Sequence, residues 1–524
     1  MVRSSTALPG LCFWALAVTG PIPCALAGDA VGQPEAARHG TAQTDVVALI
    51  KADRLDEAER RLLAAVSEAP VNAEAHYYLG FVYERRRELD KAAEAYRRAV
   101  EIDPTMAAAH DRYGFVLGLQ GRIDDAVARF ERAIALAPSL FDAHYHLGVT
   151  HWLRRAPEQA RAPLETAVQL QPGHAEARYY LGLALRSLGR TDDAIAQLQQ
   201  AAELAPTLAV AHAHLGIALR EQGRVEAALA ALGRAVELDP SRFDALNALG
   251  LTYMQRGDAE QAVETFRRVV AAHPGEASGH LNLGTALMQQ GDLAGAVEVL
   301  RALTTRQPGH AEAFHNLGVA LKQQDDFAGA EDALRKAVGL DPSLADAHYT
   351  LGVVLWQTGR ASDASSSFTA AIAARPQHSQ ARYMLGTLLL REDKLDEALA
   401  EFRQVIALDP ESPEAHRSIG DVLRRRHDQA GADAAFAESE RLMRLRTDRQ
   451  SALFALGAGR ERLRRNDVSA AIERLREAVR LDPRNAEAHW ELARALGRIG
   501  DRAGARTHLA EARRLDPHLA TTDQ

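Results

Sequence analysis

Residues 73–106 read AEAHYYLGFVYERRRELDKAAEAYRRAVEIDPTM. Leu79, Val82 and Tyr83 fall at helical spacing and predict a first helix over residues 73–86. A turn is expected near residues 87–89. Ala92, Ala93, Tyr96, Ala99 and Val100 mark the inward face of a second helix over residues 90–102. Asp103-Pro104 ends it, because proline cannot continue the hydrogen-bond ladder. Each helix is about 20 Å long. One such hairpin cannot bury its own apolar face, so it needs neighbours of the same kind.

Those neighbours fill most of the chain. Proline recurs from Pro70 through Pro104 and Pro138 to Pro410 in steps of 34 residues. Glycine keeps the step from Gly80 through Gly114 to Gly420, and alanine from Ala58 through Ala92 to Ala432. The recurring small residues, Gly114 and Ala126 among them, should let the two helices of a hairpin approach closely. Gly121, Gly189, Gly223, Gly257, Gly291 and Gly359 stand at first-helix ends and suit a left-handed cap. A long coiled coil is excluded, since proline returns in every period.

The residues Ala75-His76-Tyr77-Tyr78-Leu79-Gly80, Tyr83, Ala92, Tyr96, Ala99 and Pro104 resemble the tetratricopeptide repeat (TPR). Ala313-Phe314-His315-Asn316-Leu317-Gly318 with Ala330, Leu334, Ala337 and Pro342 resembles it again. His76, His110, His144, His212, His280, His348, His416 and His489 stand where that family most often has tryptophan. The resemblance implies an all-α fold, an α-solenoid wound as a right-handed superhelix of about 14 helix-turn-helix repeats. Twelve repeats run without a gap over residues 39–446, and two more occupy 452–485 and 486–519. The first is degenerate, with Asp45 where leucine is usual.

Composition agrees with that reading. The 524 residues are 47% hydrophobic and 25% charged, which excludes both a disordered chain and a multi-span membrane protein. Aromatics are only 5%, and the net charge of −8 offers no overall basic field for nucleic acid. Residues 1–27 read as a secretory signal peptide: Arg3 precedes an apolar stretch over 7–20, and Ala25-Leu26-Ala27 forms a cleavage site. The mature chain is expected to begin at Gly28, with residues 28–38 as a linker, and to be periplasmic or secreted. Cys12 and Cys24 both lie in that segment, so no disulfide or cysteine-based metal site is expected beyond it. No later stretch reaches the length of a membrane span.

The period breaks once. Position 444 is arginine instead of proline, and residues 447–451 are extra before the pattern resumes. With no proline and only Gly431 between 430 and 456, one lengthened helix is expected to join the twelve-repeat array to the two-repeat C-terminal pair. Residues 520–524 form a tail. Charge shifts at the same place: residues 28–412 hold 52 acids against 39 Lys and Arg, whereas 413–519 hold 17 acids against 22 Arg. Arg441, Arg444, Arg446, Arg449, Arg460 and Arg464 concentrate there as a candidate basic patch for an acidic partner, against the alternative of a solvated face.

No phosphate loop, nucleophile elbow or HExxH stands in the sequence. His144, His146 and His151 are the densest histidines, but His146 points roughly 200° from His144 on a helix, so no metal is expected there. The acid pairs Asp124-Asp125 and Asp192-Asp193 sit at second-helix starts, where they complement the helix dipole. No cofactor, metal or catalytic residue is predicted, and no residues are left for a catalytic domain.

The resemblance implies instead a concave groove, lined by first helices, that takes peptides or protein segments. Gln255, Gln289, Gln323 and Gln357 recur at the thirteenth position of their repeats. Such amides both donate and accept, so they suit an extended backbone. Trp152, Met254, Met288, Lys322 and Trp356 occupy the twelfth position and suit apolar, adaptable contact. The lysine and asparagine clamp of chaperone-tail-binding relatives is matched only at Lys322, and the asparagine ladder of O-GlcNAc transferases at Asn282 and Asn316. The expected function is a non-enzymatic scaffold for protein partners in envelope assembly, secretion or exopolysaccharide export. The alternative is a regulatory or substrate-recruiting subunit of a separate enzyme such as a glycosyltransferase.

Overall fold

The structure, a computed structural model, describes residues 40–516, with side chains from Asp45 onward. The expected signal peptide (1–27), linker (28–38) and tail (520–524) lie outside the described residues. Among the described residues there are 27 helices and no strand. They form two compact bodies, one ending at Ala286 and one beginning at Leu287, with the division inside the helix Ala277–Gln290.

The second repeat shows why the hairpin forms. Its first helix is Ala73–Arg85, capped by Asn72, whose Oδ1 accepts the Ala75 amide at 3.0 Å. Arg87 turns the chain at φ +60°, and the second helix runs Leu89–Ile102. The stop is chemical as well as steric. Asp103 accepts from the Thr105 amide at 2.9 Å and the Thr105 hydroxyl at 2.6 Å, closing a turn around Pro104. Those bonds hold the Asp103 carboxyl below the usual carboxylate range. The same turn closes at Asp341 with Ser343.

Within a hairpin, close approach is set by the recurring glycine. A methyl on Gly114 would stand 2.8 Å from the Phe130 ring, and one on Gly318 would stand 2.5 Å from Leu334. The large partners are fully buried, Tyr96, Phe130, Leu164, Phe266, Phe368 and Phe402 among them.

Between hairpins three devices repeat. The second helix of one repeat packs on the first helix of the next. The histidine in the tryptophan slot reaches back to the carbonyl of the proline six residues earlier: His110 to Pro104 at 3.2 Å, His144 to Pro138 at 2.9 Å, His348 to Pro342 at 3.1 Å and His489 to Pro483 at 3.2 Å. Arg178 and Arg382 donate to Pro172 and Pro376 from the same slot, at 2.7 and 2.9 Å. Finally, the fourteenth residue of a repeat pairs with an acid at the eighteenth position of the one before, as Gln120 with Asp90, Arg154 with Asp124 and Arg426 with Asp396.

The exception is one helix of 36 residues, Gln429–Arg464, which contains residues 447–451. Its first part packs on Pro413–Arg425 and its last part on Val468–Leu481. It serves as the second helix of the twelfth repeat and the first helix of the thirteenth.

Candidate functional site: the first-helix face

Successive first helices touch one another in each body, for example Ala107–Leu119 with Phe141–Leu153, and Ala311–Gln323 with Ala345–Gln357. This makes the first-helix side the tighter side of each stack. Two rows of side chains cross it.

The inner row joins the fifth position of one repeat to the sixth of the next. In the first body the Asp111 carboxylate meets His146 Nδ1 at 2.9 Å, both nearly buried, and Asn282 Nδ2 donates to Asn247 Oδ1 at 2.7 Å. Tyr145 lies edge-on to Tyr180 and Tyr179 lies tilted against His214, with ring centres 6.2 and 5.7 Å apart. In the second body His315 stands 3.4 Å from Thr350, and the Ser418 hydroxyl donates to Tyr383 at 3.4 Å. Burial governs the electrostatics of this row. It pushes His214 down to about 4, helped by the Arg186 guanidinium and opposed by Asp244. It lowers His315 and raises Tyr77 to about 12. Most of the row is taken up by its own contacts, while His214 Nδ1 is buried without a hydrogen-bond partner among the described residues.

The outer row joins the twelfth position of one repeat to the thirteenth of the next, and the sequence-predicted residues lie here. Gln255, Gln289, Gln323 and Gln357 are exposed, and Trp152, Met254, Met288, Lys322 and Trp356 are half-buried. They do not form one patch. Trp152 packs against the core around Phe141 and Tyr145, three repeats before Met254 and Gln255 in the same body. The second body carries Lys322, Gln323, Trp356 and Gln357 on consecutive repeats. There the structure adds a residue the sequence reading missed: the Arg391 guanidinium sits over the Trp356 ring at 5.3 Å. The signal for it was the 34-residue period itself, since Arg391 holds the same position as Gln357.

The candidate basic patch is a set of ion pairs. Arg446 grips Glu414 through two bonds of 2.8 and 3.0 Å, and Arg449 holds Glu411 at 2.6 Å. Arg460 bridges Glu487 and Glu491, Arg441 pairs with Glu438, Arg444 with Glu440 and Arg464 with Glu461. Each of the six has an acidic partner, but Glu461 is shared by Arg464 and Arg465 and Glu491 by Arg460 and Arg494, so the junction keeps part of its excess of arginine.

Among the described residues no group of three or more His, Cys, Asp or Glu is placed to hold a metal. His144 is committed to Pro138 and His146 to Asp111. Asp124 and Asp192 pair across repeats with Arg154 and Gln222, as helix-start acids do here. No helix among them is long and apolar enough to cross a membrane.

Comparison with known proteins follows the same repeats. A family model described as the tetratricopeptide repeat matches residues 46–107, 119–175 and 157–209, and one described as the TPR repeat matches 216–257 and 459–500. The model of the C-terminal domain of cilia and flagella-associated protein 70 matches residues 242–456. No curated protein matches the chain. Among solved structures, the chain is similar to YrrB, described as a TPR protein with an unusual peptide-binding site, at 26% identity over 36% of this chain and 97% of that one, TM-score 0.34. It is similar to pilF of Pseudomonas aeruginosa at 22% identity over 39% and 92%, TM-score 0.36. To yeast Tom70 the likeness is 14% identity over 78% and 96%, TM-score 0.40. The repeating hairpins and the matched models together lead to one conclusion: the chain belongs to the tetratricopeptide repeat family.

Proposed function

We propose that this protein is an exported, non-enzymatic scaffold that binds protein segments along its first-helix face, in the service of envelope assembly, secretion or exopolysaccharide export. The observation that carries the reading is the outer row of the second body. Gln323 and Gln357 are exposed and spend no side-chain hydrogen bond on the described residues, and Lys322 pairs with no carboxylate among them. Trp356 adds apolar area beside them. An extended backbone laid across this row meets a donor and an acceptor at each repeat. The peptide-binding site named for YrrB agrees with such a use.

The test is capture from a cell-envelope extract on the immobilised protein, compared with a variant carrying Gln289→Ala, Gln323→Ala and Trp356→Ala. A second-helix control, Lys336→Ala, leaves the row intact. A partner retained by the parent and the control is expected to be lost by the triple variant. Equal retention by all three overturns the assignment.

A further inference from the structure

The helix Gln429–Arg464 leaves uncovered a face that other repeats cover. At the twenty-fourth position the second-helix side chain is fully buried in repeat after repeat, as Phe130, Phe266, Phe368 and Phe402 show. In the twelfth repeat the equivalent Phe436 is only half-buried, with Arg424 over its ring at 5.4 Å. An open groove of about 640 Å³ runs past Phe436, Ala437, Glu440 and Met443, where the next first helix would otherwise lie. Further along, Phe454 is 72% exposed and Met443 44%.

These residues share one side of the helix. At 100° per residue Phe436, Glu440, Met443, Thr447, Gln450, Phe454 and Glu461 fall within about 40° of one line. Their steps of three and four are those of a helix-pairing seam. Phe436 also rests on Gly420 of its own hairpin, as its equivalents do, and the residues buried on other sides of the helix are Ser439 and Leu442 in its first part and Ala452, Ala455 and Leu456 in its last.

We propose that the occupant is a second copy of this chain, the two long helices lying antiparallel about a two-fold axis between Asp448 and Arg449. Antiparallel is also the direction in which a second helix meets the next first helix elsewhere in the chain. That axis sets Met443 against Phe454 of the second copy, Thr447 against Gln450, and Phe436 against Glu461. It also places Asp433 opposite Arg464 and within one residue of Arg465. Among the described residues Asp433 has only Gln429 as a hydrogen-bond partner, at 2.7 Å, and Arg465 turns back to Glu461 at 2.8 Å. The contact is self-complementary and closes, as a two-fold interface requires. It is independent of the first-helix row, so either reading can fail without the other.

Sedimentation equilibrium of the full chain over the micromolar range tests it. The expected result is a reversible species of twice the chain mass. Phe454→Asp should weaken association ~100-fold, because the apolar contact is lost at two symmetric places. Helix content should be unchanged, since the side chain is exposed. Asp433→Arg and Arg465→Asp should each weaken the dimer, and the double variant should restore it. A chain that stays monomeric at every concentration overturns the proposal and leaves the face to a different protein. A dimer indifferent to Phe454→Asp, or a charge reversal without restoration, overturns it as well.

Discussion

At the scale of the residue, stability rests on a few slots repeated at a fixed step. The glycine of the first helix is one. With Leu334 already touching the space a methyl would fill, Gly318→Ala should cost about 1–3 kcal/mol by overpacking. A lowered urea midpoint for the second body checks this, and an unchanged midpoint would mean the hairpin can spread without loss. The histidines are another slot. His214 is held neutral, with its folded value near 4 against an ordinary 6.5. The unfolded chain therefore binds the proton more readily between those values. The stability from a neutral His214 is complete above about pH 6.5 and is lost as pH falls toward 4. His214→Asn should flatten the acid loss of the first body by as much as ~3 kcal/mol, read from urea midpoints at pH 7 and 4.5. Parallel pH profiles would show that His214 does not contribute to the acid loss.

Residue types also set how far the fold could be read. Gly121, Gly189 and Gly257 announced left-handed caps, and they adopt positive φ. Arg87, Arg155, Asp325 and Asn466 adopt it at the same position without any such signal. At Arg87 and Arg155 the packed hairpin imposes the turn on a side chain that does not favour it, whereas Asp325 and Asn466 are of the types that visit this region. The histidine slot was legible as a large-residue position. Its bond to the proline carbonyl was not, because the bond depends on how the turn presents that oxygen.

At the scale of the element, hairpin boundaries follow from proline and the Asp-x-Ser/Thr turn, and the long helix follows from their absence. With Arg444 where the period calls for proline, the last turn of the twelfth repeat has nothing to stop it, and residues 447–451 continue the ladder. Asp448→Pro should break that ladder at a cost of about 3 kcal/mol. Amide exchange over residues 445–452 should then rise ~100-fold, while the buried Leu475 of the next hairpin keeps its protection. Exchange that is already fast in the parent would show an open joint in place of a helix. The charge shift at this junction was visible in the sequence, but its meaning was not. The pairing of Arg446 with Glu414 and Arg449 with Glu411 spans more than thirty residues, and only the folded chain brings those groups together.

At the scale of the whole molecule, stacked hairpins turn a local period into rows of side chains along each body. The outer row was readable because glutamine happens to repeat at its step. The inner row was not, because its partners differ in type and are offset by 35 residues, as Asp111 and His146 are. Arg391 escaped because the glutamine run ends just before it. Partner segments are proposed to lie along first helices. Hydrogen exchange of the chain, free and saturated with a peptide selected on it from a displayed library, tests this most directly. New protection is expected in Ala311–Gln323, Ala345–Gln357 and Ser379–Arg391, with the second helices unchanged. Protection confined to second helices, such as Phe327–Leu340 and Ala361–Ala374, would contradict it.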